Sequence, residues 1–337
     1  MSVDENLSDI EHVRKRPGMY VGSTGFFGVI HYLVDATNLI LQHSPSKLAF
    51  SIDGLEFSIG SDVVLPVFEN ENGGRFPFEC FRRDGNSVFS HGPVLTALSD
   101  RLSYSERSTG GVTIEYAYRN GARTVPCGVK WPDEFRSHLS FAPDATLFDE
   151  VPISNYNLAS YLRRISYLHP GTEFSLDDNG RKSTFRAENG IRDMFVGFAS
   201  PYQLVHEPIV LQRTDGPFSM EFVFALHSWK NDVCCSFVNK GRAVEGGTHQ
   251  DGLERAVTQM RDEVFATSNG VVGLLSIHYP KVQWHGCIKA TVRNPELTGL
   301  VCDSIVNETM AYLDRNPVVF DQIKHAQTFQ FPDAWLS

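Results

Sequence analysis

The stretch from Val238 to Gly252, which reads V-N-K-G-R-A-V-E-G-G-T-H-Q-D-G, constrains the fold of this chain more than any other segment. Its adjacent glycines, Gly246 and Gly247, permit a turn that a residue with a Cβ atom would strain. Thr248 follows at a position where a hydroxyl can cap a helix. The segment therefore predicts a strand, a tight turn and a helix in succession, with a structural role for the two glycines, Thr248 and Gly252.

The bulk composition is that of an ordinary globular protein. A length of 337 residues indicates about two domains. The net charge of −10 argues against a broadly basic surface that coats DNA, although it leaves open a local basic groove. The six cysteines are scattered without a C-x-x-C pair, and no apolar run approaches the roughly 20 residues that span a bilayer. These features predict a cytoplasmic protein without a membrane segment.

The spacing of apolar residues predicts helices and short strands in both halves of the chain. The predicted helices cover 7–16, 28–43, 94–102, 155–168, 252–265 and 295–313. The predicted strands cover 48–52, 55–59, 63–68, 112–118, 173–176, 209–212, 218–226, 234–239 and 271–279. A proline-containing break at 198–208 is the predicted domain boundary. The mixture predicts two α+β layered domains.

Two further blocks give the chain a family resemblance. Residues 13–22 read V-R-K-R-P-G-M-Y-V-G, and residues 280–289 read P-K-V-Q-W-H-G-C-I-K. With the 238–252 segment, these blocks resemble, in the same order, signatures of the B subunits of bacterial DNA gyrase and topoisomerase IV. The resemblance implies a GHKL-type ATPase domain, with helices on a mixed sheet, over 1–199. It also implies a transducer α/β domain over 200–316 and a C-terminal tail over 317–337, without the DNA-cleavage region that follows in that family.

The first ATP-site motif of the family falls on the predicted helix 28–43. Counted without gaps from Gly28, the glutamate that activates water matches Asp35, and the asparagine that holds Mg²⁺ matches Leu39. Aspartate is one methylene shorter, and a displacement of about 1 Å can cost roughly a hundredfold in rate. Leucine cannot bind a hard cation, and the neighbouring Asn38 points about 100° away around the helix. Asp35 is the candidate catalytic residue; the alternative is an ordinary polar position on a helix.

The adenine-binding motifs are also altered. The family pattern D-x-G-x-G-I-P matches S-D-V-V-L-P at 61–66, which places Ser61 at the adenine-binding aspartate and valines at both glycines. Asp62 could substitute only if the strand slipped by one residue, which would turn its side chain to the other face. Ser137, ahead of Phe141, keeps the hydroxyl of the family's threonine near adenine. Ser61, Asp62 and Ser137 are therefore the candidate adenine contacts, and an ordinary strand is the alternative at 61–66.

The phosphate-binding motifs retain less of the family pattern. The glycine-rich lid is reduced to N-S-V-F-S-H-G-P at 86–93, where Pro93 removes a backbone amide from the phosphate cradle. Lys289 matches the transducer lysine that contacts the γ-phosphate, although Cys287 replaces the glutamine two residues earlier. Lys289 is a nucleotide-binding candidate, and a solvated loop lysine is the alternative. No metal-ligand motif is found in the sequence.

These motifs favour a gyrase-B-like protein with a degenerate nucleotide site. We expect a non-hydrolytic dimerisation or interaction module rather than an enzyme, with no working ATP–Mg²⁺ cofactor. Its expected partner is a second copy or another protein, including a gyrase-type subunit; the sequence leaves direct DNA binding undecided. Two alternatives stay open: an ATP-driven fragment of a type II topoisomerase B subunit, and a fold reused for another small ligand.

Overall fold

A computed structural model describes residues 8–65, 78, 91–108, 113–126, 128, 130–149, 155–286 and 289–325. The chain divides into two compact units. The first comprises residues 1–166 and 171–186, and the second comprises residues 167–170 and 187–337. Helix 191–199 packs within the second unit, so the contacts place the division earlier in the chain than the expected boundary after residue 199.

The first unit is an eight-stranded sheet with helices. Its helices are α1 (Asp9–Lys15), α2 (Pro17–Val21), α3 (Phe26–Leu41), α4 (His91–Leu98) and α5 (Asn155–Leu168). Its strands are β1 (Lys47–Asp53), β2 (Glu56–Ser61), β3 (Ser99–Arg107), β4 (Thr113–Arg119), β5 (Ala122–Thr124), β6 (Ser137–Pro143), β7 (Glu173–Asp178) and β8 (Arg181–Phe185). The strand order is β5-β4-β3-β6-β2-β1-β7-β8. Neighbouring strands are antiparallel except for the parallel pair β1–β7.

The two faces of this sheet differ sharply because side chains alternate along each strand. On β1, Leu48, Phe50 and Ile52 are buried and join the core that the helices cover. The intervening Ala49 is half-buried and Ser51 is exposed on the opposite face. One face is thus a hydrophobic core, and the other, which we call the open face, carries small and polar side chains.

The second unit has a four-stranded sheet in the order β11-β12-β10-β9. Its strands are β9 (Ile209–Asp215), β10 (Phe218–His227), β11 (Val233–Val238) and β12 (Gly270–His278), followed by the short pair β13 (Trp284–His285) and β14 (Thr291–Val292). Its helices are α6 (Ile191–Ala199), α7 (Thr248–Gln259), continued by a π-helical turn (Met260–Phe265), α8 (Pro295–Arg315) and α9 (Pro317–His325). One sheet face packs on α7 and α8, the other on α6. The α+β class, expected from the sequence, is confirmed.

The glycine turn lies where the sequence places it, ahead of α7. Gly246 and Gly247 have φ values of 71° and 117°, in the region that favours glycine. A Cβ on Gly247 would lie 2.2 Å from the carbonyl oxygen of Val292, and one on Gly252 would lie 2.7 Å from that of Thr298. The first glycine pair thus allows the chain to pass β14, and Gly252 allows α7 to approach α8 closely.

The expected cap by Thr248 is wrong. The residue that caps α7 is Gly247, and Thr248 is already the first helical residue. Its hydroxyl is buried without a hydrogen-bond partner among the described residues. A side-chain cap requires extended backbone just before the helix, and the glycine with positive φ occupies that position instead.

Three other sequence expectations differ from the structure. Strand β2 ends at Ser61, and no strand runs over 63–65; residues 66–68 lie outside the described range. The helix expected over 94–102 ends at Leu98, where β3 begins at once. The tail expected from 317 begins with α9, whose Ile323 is fully buried. Among the described residues, no helix is both long and apolar enough to cross a bilayer.

Candidate functional site

Asp35 lies on α3 and pairs with the first residue of α4. The Nδ1 atom of His91 is 2.7 Å from Oδ1 of Asp35, and both side chains are about one fifth exposed. His31, one turn earlier on α3, is held below its ordinary pKa by burial, which outweighs the opposing charge of Asp35. The carboxylate that would activate water therefore already has an imidazole partner. His91 belongs to the remnant of the lid motif; residues 86–90 of that motif lie outside the described range.

Leu39, which matches the Mg²⁺-binding asparagine, is part of the hydrophobic core. Its side chain is buried with other apolar residues of the helix-covered face. Thr37 on the same helix is also buried, and its hydroxyl donates a 2.8 Å hydrogen bond to the carbonyl of Leu33. No group of three or more histidine, cysteine or acidic side chains suited to a metal occurs among the described residues. This part of α3 offers packing rather than ligands for a cation.

The structure brings Ser61 and Ser137 together. They are paired residues on the antiparallel strands β2 and β6, and both are buried. The hydroxyl of Ser61 accepts a 3.2 Å hydrogen bond from the amide of Val63, and the hydroxyl of Ser137 donates one of 2.6 Å to the carbonyl of the same residue. The two hydroxyls that the sequence motifs match to the adenine contacts are thus bound to the chain's own backbone.

A buried tyrosine extends this network on the neighbouring strand β3. The Tyr104 hydroxyl accepts a 2.8 Å hydrogen bond from the amide of Leu65 and donates one of 3.2 Å to Glu106. Burial is the main reason why its pKa lies far above the ordinary value, so the phenol stays protonated. The segment that leaves β2 is therefore fixed by side chains of β3 and β6. Sequence reasoning missed Tyr104 and Glu106 because it predicted a helix up to residue 102 and no strand over 103–107, where the structure has the rest of β3.

Asp62 faces away from the two serines and binds the start of β1. Its carboxylate accepts hydrogen bonds of 3.1 Å from the amide of Ser46 and 3.2 Å from that of Lys47, and the Ser46 hydroxyl also donates to it. These contacts fix the connection between α3 and β1. With its oxygens committed to that loop, Asp62 has a structural role, and the one-residue slip needed for an adenine contact is not seen.

The basic block 14–16 supplies a structural clamp that the sequence did not reveal. Arg14 donates one hydrogen bond of 2.7 Å to the carbonyl of Ala97 and another of 2.7 Å to the carboxylate of Asp144. Burial raises the pKa of Asp144, but hydrogen bonds from Thr146 and Arg14 outweigh it and leave that pKa below its ordinary value. Arg14 therefore ties α1 to the ends of α4 and β6.

Lys289 lies in the second unit, in the turn between β13 and β14. Its side chain is exposed, its φ is 56°, and its amide donates a 3.2 Å hydrogen bond to the carbonyl of Gly286. Cys287 lies outside the described residues. The lysine side chain is thus exposed and has no ionic partner among the described residues.

Comparison with known proteins gives a consistent result. A family model described as DNA gyrase B matches residues 190–330. The DNA gyrase B subunit of Clostridium acetobutylicum is 25% identical, covering 93% of this chain and 56% of its own length. That of Synechocystis is 27% identical, covering 97% and 35%. The DNA topoisomerase 4 B subunit of Mycoplasma pneumoniae is 24% identical, covering 93% and 56%. The chain spans about half the length, or less, of the curated relatives it matches.

Solved structures show the same relationship at the level of the fold. The 43K ATPase domain of Thermus thermophilus gyrase B, in complex with an aminocoumarin, superposes with a TM-score of 0.76 at 20% identity, covering 97% of both chains. The gyrase B subunit of Myxococcus xanthus gives 0.75 at 19% identity, covering 94% of this chain and 99% of that one. The resemblance predicted from the three motif blocks is therefore confirmed: this chain is gyrase-B-like, similar in sequence to the B subunits of gyrase and topoisomerase IV and in fold to the gyrase B ATPase region.

Proposed function

We propose that this chain is a gyrase-B-like interaction module that neither binds ATP in the manner of the family motifs nor hydrolyses it. The observation that carries the proposal is the closed hydroxyl pair, in which Ser61 and Ser137 are both bound to the backbone of Val63. Ser61 is 0% exposed. A purine that approached this position would have to break those bonds, and Ser61, which stands at the position of the family's adenine-binding aspartate, has no carboxylate to accept its exocyclic amine.

The positions that match the family's Mg²⁺-binding and water-activating residues support the same proposal. Leu39 lies in the core where Mg²⁺ would need an oxygen ligand, and Asp35 is engaged by His91. Loss of one strong electrostatic stabiliser typically costs about 10²–10³ in rate. Several such losses together predict negligible turnover even if a nucleotide were to bind weakly.

An interaction role requires an exposed surface that another protein can cover. In the first unit Phe27 is 73% exposed and Met19 is 41% exposed, both among the apolar residues around the N-terminal motif block. Exposed aromatic side chains of this size are typical of contact sites. We propose a second copy of the chain or a gyrase-type subunit as the partner, in a cytoplasmic setting.

The rival function, an ATP-driven topoisomerase fragment, is favoured by one observation. Lys289, which matches the γ-phosphate lysine, is exposed, and its amide is bound to the carbonyl of Gly286. This rival requires that the chain bind ATP despite the closed hydroxyl pair.

Calorimetric titration with a non-hydrolysable ATP analogue and Mg²⁺ separates the two functions. The proposal expects no binding to the wild-type chain and none to Lys289→Ala. It also expects none to Ser61→Asp, because the restored carboxylate enters a position closed by Val63. Saturable binding to the wild-type chain that Lys289→Ala removes, together with ATP turnover that Asp35→Ala removes, would establish the rival instead.

A further inference from the structure

The centre of the open face of the first sheet carries unusually small side chains, which we call the serine floor. At its centre, Ala49 and Ser51 on β1 lie beside Ser58 on β2 and Ser175 on β7. A solvated sheet face normally carries longer polar side chains that gain from cross-strand contacts. Small side chains gain little there, and alanine is depleted in strands. A local departure of this kind is expected where function, rather than folding, selects the residues.

The small side chains leave a real space. A cavity of about 450 Å³ lies over them. This volume falls in the range of small-molecule sites, about 300–1,000 Å³. All the described lining residues belong to the first unit, from β1, β2, β6, β7, β8 and the loop 130–136.

One wall of the cavity is the loop 130–136, which one arginine contacts at several points. Arg107 on β3 donates hydrogen bonds of 3.3, 2.9 and 3.2 Å to the carbonyls of Pro132, Phe135 and Trp131. Its guanidinium also lies 2.9 Å from Asp133 and stacks over the Trp131 ring at 4.6 Å. The loop therefore already has this conformation without a ligand, so binding would not carry the entropic cost of ordering it.

The loop packs on the sheet at Gly60 of β2. A Cβ on Gly60 would lie 2.7 Å from the ring of Phe135, so the aromatic ring occupies the place of a side chain on β2. The Lys47 ammonium lies 5.4 Å from the same ring and donates a 2.6 Å hydrogen bond to Glu134. Trp131 of the loop stacks on His138 of β6, with an interplanar angle of 16°. These contacts leave the serine floor uncovered beside the loop.

The described lining of the cavity has one more lysine than carboxylates, and each carboxylate lies beside a lysine, Glu134 beside Lys47 and Asp177 at 3.8 Å from Lys182. This lining holds three lysines and two carboxylates, whereas the whole chain has a net charge of −10. The cations are Lys47, Lys130 and Lys182, and the carboxylates are Glu134 and Asp177. Lysine binds phosphate as a point charge, and no arginine, whose planar fork binds both phosphate and carboxylate, is found in the described lining. Serine and threonine hydroxyls of the floor and of β8 add donors and acceptors for a polyhydroxylated body.

We propose that this cavity binds a small phosphomonoester, with the phosphate between Lys130 and Lys182 and a polyhydroxylated body on the serine floor. The site is separate from the nucleotide position because alternate residues of a strand face opposite sides. Ser61 and Ser137 face the core, while the preceding Gly60 and the following His138 face the cavity. An ATP analogue at the family position would therefore not compete for it.

The test uses the full chain with ribose 5-phosphate and glucose 6-phosphate as probes, in equilibrium titrations followed by calorimetry and tryptophan fluorescence. We expect at least one probe to bind with a Kd below ~1 mM. Ribose, glucose and inorganic phosphate alone should bind at least roughly tenfold more weakly, since each supplies only part of the contacts.

Because the lysines of the cavity that are tested are exposed, their substitution should not prevent folding. Lys182, whose side chain is 81% exposed, and Lys130 are changed to glutamine, and each change is expected to weaken binding roughly tenfold. Lys230→Gln, an exposed lysine of the second unit, is the matched control and should bind like the wild type. Failure of both probes to bind, equal binding of the unphosphorylated sugars, or indifference to the double Lys130/Lys182 variant would each overturn the proposal. None of these results bears on ATP binding.

Discussion

Arg14 shows how a charged residue in a motif block can serve the fold. It bonds to the carbonyl of Ala97 and to the buried carboxylate of Asp144, so its removal leaves an uncompensated charge. We expect Arg14→Ala to destabilise the first unit by about 3 kcal/mol in urea unfolding. Arg16→Ala, at an exposed neighbouring position, should change stability by less than about 0.5 kcal/mol. Equal losses in the two variants would contradict the clamp.

The same contact predicts a response to acid. The folded state holds the pKa of Asp144 below its ordinary value, so its contribution to stability is present near neutral pH and is lost as the pH falls through that lowered pKa. Arg14→Ala removes one of the hydrogen bonds that lower this pKa. The variant should therefore lose less stability than the wild type between neutral and acidic pH.

Substitution by alanine should have opposite effects on stability at two glycines of the second unit. At Gly247 the positive φ and the Val292 backbone only 2.2 Å from a Cβ both oppose a side chain. Gly247→Ala is expected to cost at least about 2 kcal/mol in the free energy of unfolding. At Gly299, inside α8, a Cβ meets nothing within 4 Å, so Gly299→Ala should stabilise by about 0.5–1 kcal/mol. A stable Gly247→Ala variant would refute the close approach.

Single residues mark the limit of prediction from this sequence. The neighbourhood of Ser61 and Ser137 could be predicted, because each matches a family motif. Strand alternation also predicted that Asp62 faces the other side, but its partners at Ser46 and Lys47 could not be predicted, since they lie across a loop. Arg14 and Arg107 act through backbone carbonyls far along the chain, which leave no trace in local spacing.

At the scale of elements, the start of α7 carries a pH-sensitive position. His249 is fully buried, neither ring nitrogen has a partner among the described residues, and burial lowers its pKa to about 4. The unfolded chain therefore takes up a proton between about pH 6.5 and pH 4 that the folded chain does not, and stability falls as the pH drops through this window. His249 is expected to contribute a loss on the order of 3 kcal/mol.

Urea unfolding at several pH values checks this prediction. His249→Leu should flatten the dependence of the unfolding free energy on pH between about 6.5 and 4, whereas the exposed control His278→Gln should keep it. His169, whose pKa burial also lowers to about 4, leaves a residual slope in both variants. An unchanged slope in His249→Leu would mean that the imidazole is not buried in its neutral form.

Regular periodicity made some elements predictable and misled at others. The amphipathic spacing of 155–168 predicted α5 with its observed bounds, because its apolar residues recur at helical intervals. The same logic extended α4 past Leu98, since Leu98 and Leu102 are four residues apart although β3 begins between them. The triplets Phe-Ser-Ile at 50–52 and 57–59 and Phe-Ser-Leu at 174–176 carried a usable signal for the open face. Only the strand register shows that their serines share one floor.

At the scale of the whole molecule, the proposed loss of ATP binding predicts the behaviour in solution. A ligand shifts an equilibrium only by its different affinity for two states, so ATP should not alter the association of this chain. Sedimentation velocity with and without a non-hydrolysable ATP analogue and Mg²⁺ should give the same species, and Lys289→Ala should match the wild type. A monomer that dimerises only with the analogue, and loses this response in Lys289→Ala, would show a working nucleotide switch.

The pairing of β1 with β7 has a consequence for how the chain is made. Strand β1 is synthesised early, but its parallel partner β7 begins at Glu173, more than a hundred residues later. Contacts between such distant segments form slowly because a long loop must close first. Until the ribosome has released residues up to about β8, one side of β1 remains an unsatisfied strand edge, which is prone to pair with other chains. Nascent or truncated chains that end before Glu173 should therefore aggregate, whereas chains that extend through Arg186 can complete the first sheet.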